Sequence, residues 1–181
     1  MTGDISLKGF FIQPPRVKHV RSRSGITVEG SGFTLEEHVE AGLPFAMGDL
    51  RALSHCLQNL IANAVKYSGK SKWISVSASA HYLASHSEEI WITVRDRGIG
   101  VSESDLPHIF EPFYRSAKSV DAQIHGAGLG LAVAKRIAEA MGGRLSLTSE
   151  LGVGSAFTLH LKVAKQWDAR LLERPALSRS I

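Results

Sequence analysis

The chain has 181 residues, of which 44% are hydrophobic and 21% are charged, and its formal net charge is +4 at neutral pH. This composition predicts one globular domain with short appendages and excludes a largely disordered chain. The single cysteine, Cys56, excludes an internal disulfide. The sequence has no run of about 18 apolar residues, the length that a membrane-spanning helix requires. The basic charge fits nucleic acid, an acidic partner or a phosphorylated ligand and does not choose among them.

Residues 1–32 combine two adjacent prolines, scattered glycines and the basic stretch RVKHVRSRS, with no sustained helical period. They predict strand fragments or a linker, and the basic residues either contact a partner or are simply solvated. The next stretch, FTLEEHV, predicts a strand. A turn follows, and Asp49 is placed to cap the helix that begins after it.

That helix is amphipathic, and its polar flank is unusual. At 100° per residue one face collects a stripe that should pack on a sheet: Leu53, Cys56, Leu57, Leu60, Ile61 and Ala64. Asn59, Asn63 and Lys66 lie on the flank of this stripe, with Tyr67 nearer the core edge. Two interpretations remain open for the flank: ordinary solvated side chains, or a site in which an amide oxygen binds Mg²⁺ and Lys66 contacts phosphate.

Two alternating segments, SKWISVSASA and EIWITVRD, predict strands joined by a hairpin loop. Asp96 ends the second strand, and Gly98 and Gly100 follow it. A carboxylate here can accept a hydrogen bond from a planar amine, and glycine lets a flat ring lie against the backbone. A plain turn is the alternative interpretation.

Residues 101–127 are long and weakly periodic, with one apolar island, HIFEPFY, which is typical of a lid. GAGLGL then opens a helix whose predicted buried stripe is Leu129, Val133, Ile137, Ala140 and Met141. The free N–H groups at its start predict a phosphate site, whereas the match to a dinucleotide fingerprint is loose. RLSLTSE and GSAFTLHLK predict two final strands around an LGVG turn, with His160 exposed.

In order and spacing, these motifs resemble the catalytic ATP-binding domain of two-component sensor histidine kinases, in the superfamily that contains gyrase, MutL and the heat-shock chaperone ATPases. LSHCLQNLIANAVKYS resembles the N box, DRGIG the G1 box, HIFEPFYRS the F box and GAGLGL the G2 box. The resemblance implies a Bergerat-type α/β two-layer sandwich, with a mixed, mainly antiparallel sheet of about five strands against about three helices. It places the catalytic domain at residues 33–164, after the 1–32 segment and before a 165–181 tail or docking helix.

The resemblance also implies roles for individual positions. Asn63 would bind Mg²⁺, Asp96 the adenine amino group, and Lys66 and Tyr67 the phosphates and the nucleotide edge. The remaining positions implied to contact ATP are Gly98, Gly100, Phe110, Phe113, Arg115, Gly126, Gly128, Leu129, Gly130 and Ser155. Arg115 is either a lid cation or a surface arginine, and His125 is a further candidate for phosphate contact.

Asn59 separates two kinds of chemistry. In the hydrolytic relatives a glutamate at this place is the general base for water, and an amide cannot take up a proton near neutral pH. The implied reaction is therefore transfer of the γ-phosphoryl of ATP to a histidine, with Asn59, Asn63 and Lys66 as the catalytic set. The alternatives are a nucleotide-binding regulatory module without turnover, or a gyrase- or MutL-like ATPase.

The acceptor histidine is expected on a separate dimerisation domain, since no segment here matches its usual motif and His19 lacks an acidic neighbour. Through that domain the expected partner is a response regulator, and neither nucleic acid nor membrane contact is expected. The start of the chain lacks the basic-then-apolar order of a secretion signal. The expected location is cytoplasmic, either free or as the cytoplasmic part of a membrane-bound sensor.

Overall fold

The computed structural model describes the backbone of residues 10–12 and all atoms of residues 32–84, 88–116 and 126–164. The strands are β1 (Phe10–Ile12), β2 (Thr34–Val39), β3 (Ala46–Gly48), β4 (Trp73–Tyr82), β5 (Glu88–Asp96), β6 (Arg144–Glu150) and β7 (Gly154–Lys162). The helices are α1 (Leu50–Tyr67) and α2 (Gly130–Ala140), and a short 3-10 turn covers Gly69–Ser71. Neither α-helix of these described ranges has the length and apolarity needed to cross a bilayer.

The main sheet has five strands in the order β2-β4-β5-β7-β6. β2 runs parallel to β4, and the other neighbours are antiparallel. The two helices cover one face of this sheet, while β1 and β3 form a separate antiparallel ribbon. The predicted two-layer sandwich with a mixed, mainly antiparallel five-stranded sheet is confirmed. Of the roughly three expected helices, two α-helices fall within the described residues.

Helix α1 forms as its sequence predicts. The Asp49 carboxylate accepts a hydrogen bond from the Ala52 N–H at 2.8 Å, so it satisfies one of the free donors of the first turn. The six residues of the predicted stripe are all buried: Leu53, Cys56, Leu57, Leu60, Ile61 and Ala64. The polar flank that carries Asn59 and Asn63 is consequently held beside the core and remains accessible.

The inner face of the sheet is built from cross-strand rows. In one row Ile92, Leu159 and Leu145 lie side by side, and in the next Val94, Phe157 and Leu147 do so. The row that follows contains Asp96, Ser155 and Ser149. The apolar face thus becomes polar at the end where the strands stop, below the end of α1.

The predicted buried stripe of α2 is wrong. The helix buries Ala132, Ala134 and Ala138, whereas Leu129 is 38% exposed and Ala140 is also exposed. The reason is that α2 packs against α1, where Cys56 Sγ lies 3.6 Å from the Ala134 carbonyl oxygen, and small alanines permit this close approach. Ile137 and Met141 lie beside the contact and are only partly buried.

The prediction that His160 is exposed is also wrong, since the residue is only 5% exposed. On the outer face of the sheet Trp91 packs edge-on against the His160 ring, with 4.7 Å between ring centroids. Ser146 Oγ lies 2.7 Å from His160 Nε2, and Arg144 bonds both to His160 Nδ1 and to the buried Glu89. Alternation along β7 correctly predicts that His160 lies on the outer face of the sheet. Side chains of the neighbouring strands cover its ring there, so it is buried.

Candidate nucleotide-binding site

The carboxylate of Asp96 lies at the end of β5 and is only 3% exposed. Its Oδ1 accepts a hydrogen bond from the Gly98 N–H at 2.9 Å, and the Ser155 N–H also donates to it. Burial raises the pKa of Asp96 to about 6, against the opposing effect of these two hydrogen bonds. At neutral pH the group is therefore mainly ionised, and it can accept a further hydrogen bond from a ligand.

The glycines after Asp96 permit a close backbone approach. A Cβ on Gly98 would overlap the Tyr67 carbonyl oxygen, and the adjacent Ile99 N–H donates to that same oxygen at 3.2 Å. Gly100 has φ +66° and would place a Cβ on the Glu150 carbonyl oxygen. The turn is thus fixed between the end of α1 and the end of β6, so the two glycines are required by the protein's own packing.

A cavity opens between α1, the strand ends and the base of the lid. Five of its lining residues are ones that the sequence predicted for the site: Asn63, Tyr67, Gly100, Arg115 and Ser155. The others are mostly apolar and were not predicted: Ile99, Val101, Ile109, Tyr114, Ser116, Leu131 and Phe157. Asp96 itself lies just below the cavity, next to Ser155 in the same cross-strand row.

The missed lining residues share a pattern that the sequence does contain. Ile99 and Val101 alternate with Gly100, and Ile109 and Tyr114 belong to the apolar island of the lid. The family motifs assign roles to the neighbouring glycines and phenylalanines, and not to these apolar residues. Only the folded chain shows that the intervening apolar side chains form the walls.

The flank of α1 presents its polar residues in two directions. Asn63 and Tyr67 line the cavity. Asn59, one turn earlier, donates its side-chain amide to the His55 carbonyl oxygen at 3.0 Å, and its Oδ1 lies beside Gly130. Asn59 therefore faces the start of α2, apart from the cavity.

Lys66 lies against the glycine loop, the GAGLGL segment that leads into α2. Its Nζ lies where a Cβ of Gly126 would be, and 5.1 Å from the centroid of the Tyr67 ring. Gly130 begins α2, and the N-cap residue, Leu129, has no side-chain acceptor for the first N–H groups of the helix. An ammonium group and uncapped N–H donors at a helix start are suited to an anionic phosphate.

The two ends of the lid are joined at its base. The Phe113 N–H donates to the Gly128 carbonyl oxygen at 3.0 Å, and both residues have positive φ angles, of 66° and 71°. Phe110 packs edge-on against Phe157 with 6.5 Å between centroids, whereas the Phe113 side chain is 71% exposed. Asp105 accepts hydrogen bonds from Tyr114 Oη and Ser102 Oγ, each at 2.6 Å. His125 and the lid residues 117–125 lie outside the described residues.

The structure thus brings together Asn63, Tyr67, Gly100, Arg115 and Ser155 around one cavity, with Asp96 beneath it. Lys66 joins Gly126 at the neighbouring glycine loop. Asn59 and the exposed Phe113 lie apart from the cavity lining.

Known protein families and solved structures include clear matches to this chain. Residues 48–165 match the model of the histidine kinase-, DNA gyrase B- and HSP90-like ATPase family, and the chain belongs to that family. It is 36% identical over 135 residues to the sensor histidine kinase YcbM of Bacillus subtilis, a match that covers 75% of this chain and 42% of YcbM. It is 37% identical over 145 residues to the sensor-like histidine kinase SenX3 of Mycobacterium tuberculosis, covering 80% of this chain and 34% of SenX3.

Among solved structures, full-length ShkA in complex with AMPPNP is similar, with a TM-score of 0.58 and 30% identity. That match covers 75% of this chain and 27% of ShkA. The chain therefore spans less than half the length of these relatives.

Proposed function

We propose that this chain is the ATP-binding catalytic domain of a sensor histidine kinase, and that it transfers the γ-phosphoryl of ATP to a histidine on a separate dimerisation domain. The observation that carries the proposal is the shared cavity, which has Asn63 on its α1 wall and Ser155, the cross-strand neighbour of Asp96, on the sheet side. Family membership and the AMPPNP complex of the related ShkA support ATP as the nucleotide.

The catalytic domain would extend over residues 33–164, from just before β2 to Ala164, whose N–H donates to the Phe45 carbonyl oxygen. The 1–32 segment contributes strand β1 to the ribbon, and residues 165–181 would follow the catalytic domain as a tail.

The purine would bind above Asp96, whose carboxylate accepts the adenine amino group. Apolar walls such as Ile109 and Leu131 fit the faces of a flat ring. Guanine would place a carbonyl oxygen against the same carboxylate. ATP should therefore be favoured over GTP, and sites built on such bonds discriminate by up to roughly 10⁴-fold.

The residues present fit a magnesium ion. The Asn63 side chain faces the cavity, and the described part of the chain holds no group of three or more His, Cys, Asp or Glu side chains that could enclose a metal. One amide oxygen is a suitable protein ligand for Mg²⁺, which keeps waters and takes its other oxygens from phosphates. When bound, the ion would neutralise charge on the phosphate oxygens.

The remaining site residues position the triphosphate. Lys66 and the N–H groups at the start of α2 would hold its oxygens, and Arg115 would approach from the lid. The imidazole nitrogen of the acceptor histidine then forms a bond to the γ-phosphorus. The bond from that phosphorus to the bridging oxygen breaks, and ADP leaves with the electron pair.

Water is a poor competitor in this site because no carboxylate takes the place of Asn59, whose amide nitrogen already donates to the α1 backbone. This favours transfer over hydrolysis of the gyrase or MutL kind. The phosphorylated dimerisation domain would in turn supply a response regulator in the cytoplasm.

The proposal is tested by incubating the chain with γ-labelled ATP, Mg²⁺ and a separately produced dimerisation domain of a sensor histidine kinase. We expect label on that domain and little free phosphate, and no label when its acceptor histidine is replaced by alanine. Rapid phosphate release would indicate an ATPase instead. Tight binding with neither outcome would indicate a regulatory nucleotide-binding module.

A further inference from the structure

Ser149, at the end of β6, makes three hydrogen bonds through one hydroxyl group. Its Oγ accepts from the Val101 N–H at 2.9 Å and donates to the Gly154 carbonyl oxygen at 2.9 Å. The same Oγ lies 2.9 Å from Ser155 Oγ. Ser149 is not among the residues that line the cavity, whereas Ser155 is.

The direction of the Ser149–Ser155 hydrogen bond follows from counting protons. A serine hydroxyl has one proton and two lone pairs. A carbonyl oxygen can only accept, so the Ser149 proton is used on Gly154. The proton between the two hydroxyls must therefore come from Ser155, and Ser155 is left to present lone pairs to the cavity.

We propose that Ser149 is a positioning residue that fixes the Ser155 hydroxyl as a hydrogen-bond acceptor and so sets the preference of the site for adenine over guanine nucleotides. The inference rests on the proposed function. Asp96, beside Ser155 in the row, is a second acceptor. Two neighbouring acceptors match an exocyclic amino group, which has two N–H donors, and disfavour the carbonyl oxygen that guanine carries at the same ring position.

Without the Ser149 hydroxyl, the Ser155 proton has no fixed partner there and can rotate towards the ligand. A guanine carbonyl would then find a donor, and adenine would lose the advantage of a preset acceptor. The Val101 N–H would lose its partner as well, which should weaken the binding of both nucleotides. The ratio of the two affinities separates these effects, because general loosening of the site changes both affinities alike.

The test measures dissociation constants for Mg-ATP and Mg-GTP by isothermal titration on the full chain and on three variants. In Ser149→Ala we expect the ATP-to-GTP preference to fall about tenfold, the size of one ordinary hydrogen bond. Ser149→Thr keeps the hydroxyl on a strand and should retain the preference. Thr148→Ala is the matched control, because it removes a hydroxyl from the adjacent, exposed position on the other face of β6.

An unchanged affinity ratio in Ser149→Ala would overturn the inference and leave the proposed function intact, provided that the wild-type chain prefers ATP. A Ser149→Thr variant that behaves like Ser149→Ala would also overturn it. If the wild-type chain binds neither nucleotide, the proposed function fails and the inference fails with it.

Discussion

Asp96 and Ser155 lie directly opposite each other on β5 and β7, and the Ser155 N–H donates to the Asp96 carboxylate. This pairing places a buried anion in a row of the inner sheet face that also contains Ser155 and Ser149. Burial of the Asp96 carboxylate destabilises the free protein. The same burial places the carboxylate where it can bind a ligand.

Asp96→Asn should stabilise the free protein and impair ATP binding. Burial raises the folded-state pKa of Asp96 to about 6 from 3.8, so its stabilising contribution is full below pH 3.8 and is lost as pH rises through about 6. The variant cannot ionise, and we expect it to gain on the order of 1 kcal/mol in unfolding free energy at pH 7.5. The gain should vanish near pH 4. Urea unfolding at both pH values, with the ATP-to-GTP affinity ratio measured alongside, checks both effects; a variant less stable at pH 7.5 would contradict the first.

Asn63→Ala should weaken nucleotide binding chiefly when Mg²⁺ is present, because the lost amide oxygen is the proposed ligand of the ion. We expect a loss of about tenfold or more in Mg-ATP affinity and a smaller loss in chelator. Titration calorimetry with and without EDTA makes the measurement. His55→Ala, on the exposed side of the same helix, is the control. Equal losses in both conditions would remove the metal role from Asn63.

Asn59→Glu should convert part of the activity to hydrolysis. The new carboxylate would lie by the start of α2, near Gly130, where it could take a proton from water. General-base catalysis contributes about 10²–10⁴-fold when well placed, so we expect phosphate release to rise at least about tenfold. Asn59→Gln introduces a side chain of the same length as glutamate but without the basic group, so it should show no rise in phosphate release. If both variants release phosphate at the same rate, a general base at position 59 does not explain the hydrolysis.

The outer-face cluster around His160 should make the fold sensitive to acid. Burial, followed by the nearby Arg144 charge, lowers the pKa of His160 below its usual value of 6.5, although Glu89 opposes this. The neutral ring therefore contributes stability above pH 6.5, and that contribution is lost as pH falls through the lowered pKa. His81, stacked on Trp91, also lies on this face.

We expect the wild type to lose unfolding free energy relative to His160→Gln, which cannot ionise, as the pH falls from 7 to 5; Asp96 shifts the stability of both proteins in the opposite direction, so the difference between them isolates His160. Thermal melts over this range provide the measurement. Lys162→Gln, an exposed change two residues along β7, is the control. Parallel pH profiles for the wild type and His160→Gln would show that His160 is not the responsible group.

The sequence by itself determined most of the elements and several polar residues that line the cavity, although it predicted a turn where strand β3 lies. The stripe of α1, the Asp49 cap and the alternation of β4, β5 and β7 follow from local periodicity, and each appears in the fold. The resemblance also implied that Asn63, in the N box, and Ser155, at the start of the last strand, belong to one site, because each lies in a short local signal with a fixed position on its helix or strand.

Tertiary structure decided what lies between those signals. The burial of His160, the alanine face of α2 and the cavity walls at Ile99 and Tyr114 depend on contacts between segments far apart in the chain. Periodicity predicts the face of the helix or strand on which a side chain lies. It does not predict whether a side chain from a neighbouring strand covers it. The orientation of the Ser155 hydroxyl is of the same kind, since Ser149 reaches it only through the pairing of β6 with β7.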